Sequence, residues 1–143
     1  MEQNYDKIVP MSENTPQAPN LSVPDHLSYS EDHVWVDTSV SPAVLGITEY
    51  AAEQLGDLVF VDLPETDTEV QAGDEPIELE SAKAISTMVI PVSGTIKYVN
   101  QAVSDDPEVI NSDPYGEGWI VKIELDDDEP ELLTAENYAE IVK

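Results

Sequence analysis

Glu80-Ser81-Ala82-Lys83-Ala84 is the stretch on which the reading of this chain turns. Ahead of it, Ile77 and Leu79 alternate with Glu78 and Glu80. Behind it, Ile85, Thr87 and Val89 alternate with Ser86, Met88 and Ile90. Period-two patterning on both sides of a short small-residue segment predicts two strands joined by a tight turn. The side chain left at the tip is a lysine, in a chain whose only cations are Lys7, Lys83, Lys97, Lys122 and Lys143. An ammonium on a flexible stem, projecting from a stiff hairpin, is either a solvated turn residue or the target of an acylating enzyme. The hairpin alone leaves both readings open.

Outward from the hairpin toward the N-terminus, Ala72-Gly73-Asp74 reads as a turn and Glu65 to Thr68 as a polar loop. Asp57 to Leu63 is a strand ended by Pro64. Thr48 caps a short helix, Glu49 to Leu55, in which Ile47, Ala51 and Leu55 share a face, and Gly56 stands where a left-handed C-terminal residue is wanted. Ala43 to Ile47 and Val34-Trp35-Val36 are further strands, and the folded part begins near His26. Residues 1–24, with Pro10, Pro16, Pro19 and Pro24 and little periodicity, read as a disordered acidic tail ahead of a single domain at 25–143.

Toward the C-terminus, Pro91-Val92-Ser93-Gly94 marks a second turn and Thr95 to Val99 a strand. Ser104 to Pro107 reads as a turn leading into one helical turn at Glu108 to Asn111. Asp113 to Gly118 is turn chemistry, and Trp119, Val121, Ile123 and Leu125 alternate with Ile120, Lys122 and Glu124 in a last strand. After the acid run Asp126 to Glu129, Thr134 caps a terminal helix whose Ala135, Tyr138, Ile141 and Val142 face the core. Many short strands with two small helices predict a mainly-β fold with a covering helix.

The 143 residues fit one domain, and 31 acids against 5 cations give a formal charge of -26. Such a surface repels nucleic-acid phosphates and anionic lipids, and it favours a monomer that meets basic partner surfaces. With no cysteine and only His26 and His33, thiolate chemistry and a histidine-rich metal site are excluded. The N-terminal stretch lacks the arginines of a transit peptide and the apolar core of a secretory signal, and no apolar run is long enough to cross a bilayer. The expectation is a cytoplasmic protein. Phosphate loops, dinucleotide fingerprints and zinc-protease motifs are absent, and Ser93-Gly94 lacks the leading glycine of a nucleophile elbow. His33 beside Trp35 is a possible cleft residue or a satisfied strand-edge histidine.

Taken with Pro91-Val92-Ser93-Gly94, the string Glu80-Ser81-Ala82-Lys83-Ala84 resembles the lipoyl-lysine hairpin of the glycine cleavage system H proteins. Further blocks resemble that family in order and spacing: Gly46-Ile47-Thr48, Tyr50-Ala51, Leu55 to Val61, Asn100, Asn111 and Asp113 to Trp119. The resemblance runs from about Tyr29 to the C-terminus. It implies a flattened β-barrel, or barrel-sandwich hybrid, with lipoic acid in amide linkage to Lys83. It also implies a non-catalytic carrier. The dithiolane takes an aminomethyl group at the decarboxylating P protein, passes it to the T protein and is reoxidised by the L protein. A lipoate ligase or octanoyltransferase would recognise the hairpin through Glu80, Ser81, Ala82 and Ala84. Biotinyl carriers, whose lysine is usually flanked by methionines, and the lipoyl domains of 2-oxoacid dehydrogenases are weaker fits.

The family commonly has an acid between the His and Trp of the first strand and an aspartate four residues after the lysine. Val34 and Thr87 stand there in this chain. The family ties those acids to the cleft that holds the loaded arm, so a looser hold is expected here. Asp32, read as part of the strand, would point with Val34 but lie two residues away. An H-like relay that donates lipoyl groups to other complexes is the alternative, and a non-lipoylated interaction module is a third reading.

Overall fold

In the computed structural model, residues 22–126 and 131–142 are described. The strands are β1 (Ser28–Tyr29), β2 (Val34–Asp37), β3 (Ala43–Ile47), β4 (Leu58–Asp62), β5 (Glu69–Val70), β6 (Ile77–Ser81), β7 (Ile85–Met88), β8 (Gly94–Val99) and β9 (Val121–Leu125). The helices are α1 (Glu49–Leu55), α2 (Gln101–Asp105), α3 (Glu108–Ser112) and α4 (Ala135–Ile141). The expected mainly-β fold is present as two antiparallel sheets, ordered β1-β2-β3-β9-β8-β5 and β4-β6-β7. They do not close into a barrel. Val36, Leu45, Ile96 and Ile123 from the larger sheet meet Leu58, Ile77, Leu79 and Met88 from the smaller in one apolar core. A second cluster, Tyr29, Trp35 and Tyr138 among others, seats α4 on the outer side of the larger sheet.

The helix caps follow local chemistry. The Thr48 hydroxyl accepts from the Ala51 amide at 3.2 Å, and Thr134 does the same for Asn137 at 3.1 Å. Gly56 ends α1 at φ +84, a conformation that costs a residue with a Cβ. Within α1, however, Ala52 is the buried residue, with Ala51 and Leu55 only partly covered.

Several elements depart from the sequence reading. Ser104 and Asp105, expected to open a turn reaching Pro107, instead close α2, whose cap is Asn100, accepting from the Ala102 amide at 3.1 Å. Five residues are too few for a helical period to register. β1 and β5 are two-residue edge strands formed only because β2 and β8 offer them ladders. The last strand starts at Val121, since the Trp119 amide is still bonded to Gly116 in the preceding turn. In α4, Ala135, Tyr138 and Val142 are buried but Ile141 is 46% exposed, on the side that leaves the sheet. Residues 1–21 of the expected tail, and most of the acid run, lie outside the described residues. Ser22 is already tied to the domain: its amide donates to Glu49, and its carbonyl accepts from the Tyr115 hydroxyl at 2.7 Å. No helix among the described residues is long and apolar enough to cross a membrane.

Candidate functional site

β6 and β7 form the hairpin that the alternation predicted, in the register Glu80↔Ile85, Leu79↔Ser86, Glu78↔Thr87. Its tip is held by one side chain. Ser81 is buried, and its hydroxyl accepts from the Lys83 amide at 3.2 Å and the Ala84 amide at 3.0 Å. The same hydroxyl donates to the Ala84 carbonyl at 3.2 Å, and the Ser81 amide donates to that carbonyl at 2.8 Å. A hydroxyl has one proton and two lone pairs, so Ser81 is fully used. It was expected to be a small neighbour recognised by a ligase; in the structure it faces inward and shapes the turn. Ala82, Lys83 and Ala84 are exposed, and Glu80 is half-buried beside Ile85.

Ser81→Ala removes the three hydroxyl bonds while keeping the backbone bond to Ala84 and leaving the strands paired. It should cost about 1–2 kcal/mol locally and fray the tip. Hydrogen exchange should show the Lys83 and Ala84 amides losing protection while those of Leu79 and Met88 keep theirs. Unchanged protection at the tip would mean that the strands alone dictate the turn.

The Lys83 stem lies back over the end of α1. A Cβ on Gly56 would meet Lys83 Cε at 3.1 Å. The ion pairs found among the described residues belong to Lys97, with Asp67 at 3.6 Å and Glu124 at 3.9 Å, and Lys83 has no part in them. Gly56 is itself fixed by Asn111, whose side-chain amide donates to the Gly56 carbonyl and whose oxygen accepts from the Leu58 amide, each at 2.9 Å. Asn100 plays a matching role, its amide donating to the carbonyls of Glu117 and Trp119. The asparagines that carried part of the resemblance are therefore clamps on the backbone.

Beside the lysine, a cleft of about 310 Å³ opens between α1, the start of β2 and the hairpin. Tyr50, Ala51, Gln54 and Leu55 line it from α1, Leu79, Ser86, Thr87 and Met88 from the hairpin, Val34 and Ile47 from the larger sheet, and Asp32 and His33 from the turn before β2. A larger depression of about 560 Å³, lined by Tyr29, Glu31 and Leu133 among others, includes no hairpin residue.

Two expectations about this cleft change. Asp32 does not lie in the strand. The Ser30 hydroxyl accepts from the Asp32 and Val34 amides, and His33 takes a left-handed backbone at φ +68. That turn breaks the period-two alternation, and Asp32 lines the cleft together with Val34. Thr87 is not a free hydroxyl either, since it donates to the Glu75 carboxylate. Two acids thus stand at or beside the cleft, reached from positions other than 34 and 87.

His33 is placed in the cleft wall, with Nδ1 2.9 Å from the Tyr138 hydroxyl, which is 2.7 Å from the Thr48 hydroxyl. Burial pushes the His33 ring below its usual value, partly offset by Asp32, so the neutral form is favoured. Burial also pushes Tyr138 up to about 12, which keeps its proton in this chain of bonds. Tyr138 was legible only as a core residue of α4. A buried tyrosine generally finds a partner for its hydroxyl, but no pattern in sequence names it.

The hairpin, its stem-bearing glycine and the adjoining cleft occur in a chain with clear relatives. The family described as "Glycine cleavage H-protein" matches residues 27–143. A glycine cleavage system H protein of Bifidobacterium longum is 66% identical over 124 residues, covering 87% of this chain and 90% of that one. The one from Staphylococcus epidermidis is 46% identical over 124 residues, covering 85% and 98%. The crystal structure of a glycine cleavage system H protein from Mycobacterium marinum superposes with a TM-score of 0.75 at 44% identity, over 82% of this chain and 96% of that one. With the family matched across all but the N-terminal stretch, this chain belongs to the glycine cleavage H-protein family.

Proposed function

We propose that Lys83 carries a lipoyl group in amide linkage and that the chain serves the glycine cleavage system by presenting it in turn to the P, T and L proteins. The observation that carries this reading is the exposed Lys83 at the tip of a turn locked by Ser81. The other described lysines are otherwise engaged. Lys97 lies in β8 beside Asp67, and Lys122 lies in β9 with its ammonium 4.8 Å from the Trp119 ring. The residues around Lys83 suit such a group: the neighbours Ala82 and Ala84 are small, no ion pair to the ammonium is found among the described residues, and the stem lies near Gly56, next to Leu55 of the cleft wall.

When bound, the lipoyl group supplies a disulfide that accepts a one-carbon amine and can be reduced and reoxidised. The protein's part is to tether, orient and shelter. Tethering raises the effective concentration at each partner's site. Leu55, Leu79 and Met88 offer apolar walls, and Asp32 offers a carboxylate able to make a charge-assisted hydrogen bond to a cationic amine.

The test is intact mass and peptide mapping of the protein from its native cell. The expected result is one lipoyl group, on Lys83. Lipoate on another lysine, biotin on Lys83, or no adduct would sink the reading. Val34 and Thr87 favour a second reading, a relay that donates lipoyl groups to other complexes. Reconstitution with P and T proteins separates the two, because only the carrier supports glycine decarboxylation.

A further inference from the structure

The smaller sheet has an outer face, and it is irregular next to Lys83. Leu58 pairs with Ser81 and Phe60 with Glu80, so Val59 is an extra residue in β4. Such a bulge re-aims the side chains around it. Here it leaves two consecutive apolar residues outside, Val59 at 56% exposure and Phe60 at 49%. Glu80 pairs with Phe60 on one side and with Ile85, 64% exposed, on the other. Residues directly opposite on neighbouring strands share a face. Phe60, Glu80 and Ile85 therefore form a row across the sheet, two residues from the hairpin tip.

Three of the six large hydrophobic residues exposed among the described residues gather here: Val59, Phe60 and Ile85. The others, Val40, Tyr98 and Ile141, lie on different elements. The next row across the sheet, Asp62, Glu78 and Thr87, carries two acids. An apolar shelf with a half-buried carboxylate at its centre and acids along its margin has a definite complement: apolar side chains around a cation. A second copy of this chain is a poor complement, because Glu80 would meet Glu80 between two bodies of charge -26.

We propose that Val59, Phe60 and Ile85, with Glu80 among them, form the docking surface for the enzyme that acylates Lys83. The reason for choosing this partner is reach. The ammonium first gives up one proton; acylation then joins the Nζ amine to the carbonyl carbon of an activated acyl donor held by that enzyme, with loss of a second proton from the nitrogen and departure of the donor's leaving group. Nζ is carried on only a four-carbon stem, so the enzyme must press against the hairpin itself. Partners that act on the far end of an acylated arm stand further off and need not touch this row.

The proposal rests on the Lys83 reading, and its test keeps the two apart. The apo chain would be incubated with purified lipoate ligase, ATP and lipoate, and the mass gain followed with time. Phe60→Thr and Ile85→Thr retain strand propensity at exposed positions, and Val40→Thr is the remote control. The double variant is expected to lose about tenfold or more in kcat/KM, through KM for the apo chain, with Val40→Thr unchanged. A double variant acylated as fast as the parent would overturn the docking surface while leaving the Lys83 reading intact. So would a loss confined to kcat, an equal loss in Val40→Thr, or a parent dimer that the substitutions dissociate. A parent chain that never gains mass on Lys83 would overturn both.

Discussion

Lys83→Arg should give a folded protein that never acquires a lipoyl group and cannot act as a carrier. The turn around the residue is held by backbone bonds and by the Ser81 hydroxyl, none of which involves the Lys83 side chain. The stem lies near Gly56 and forms no ion pair among the described residues, so a guanidinium of similar reach has no such pair to disrupt there. Changes at exposed positions of this kind usually stay within about 0.5 kcal/mol, or a degree or two in melting temperature. The chemical change is absolute, because a guanidinium is always protonated and offers no nucleophilic lone pair. Intact mass after incubation with ligase and lipoate reads the result directly. An arginine variant that still gains a lipoyl group would place the attachment elsewhere.

Gly94→Ala should be the most damaging small substitution in the chain. Gly94 opens β8, paired with Leu125 on one side and Val70 on the other. A methyl group there would collide with the Glu124 carbonyl oxygen and come within 2.8 Å of the Ile123 side chain. The first of these is backbone inside a paired ladder and has no easy way to retreat. Overpacking of this sort costs about 3 kcal/mol or more when the obstacle cannot move. Gly73→Ala is the informative contrast. Gly73 has φ +100 but nothing within 4 Å of the added carbon, so its cost is conformational only, about 1–2 kcal/mol. Urea titrations of the two variants should rank them in that order. A Gly94→Ala protein with the parent's midpoint would show that β8 and β9 can part without loss.

Gly94 also shows how a correct residue can carry the wrong reason. Pro91-Val92-Ser93-Gly94 reads as a turn, but the structure has only a bend at Val92 as the chain passes from the smaller sheet to the larger, and the glycine is required by the neighbouring strand and not by its own dihedral angles. The same division runs through the candidate site. The hairpin and its lysine were legible because alternation and small turn residues act between near neighbours, as were the Thr48 and Thr134 caps. The bulge at Val59 was invisible, since the run from Leu58 to Asp62 is continuous strand sequence and only pairing with β6 reveals the extra residue.

What the sequence by itself determined is therefore a mainly-β chain, where the caps of α1 and α4 and the hairpin turn lie, and which lysine stands at a tip. Those features rest on interactions within a few residues, and composition and pattern encode them. The tertiary structure alone decided that Asp32 lines the cleft, because a left-handed His33 and the Ser30 hydroxyl turn it out of the strand. It alone decided that Tyr138 joins His33 to Thr48, and that Asn111 braces Gly56 under the lysine stem. Each of these joins residues far apart in the chain, and such contacts exist only once the sheets and α4 have packed.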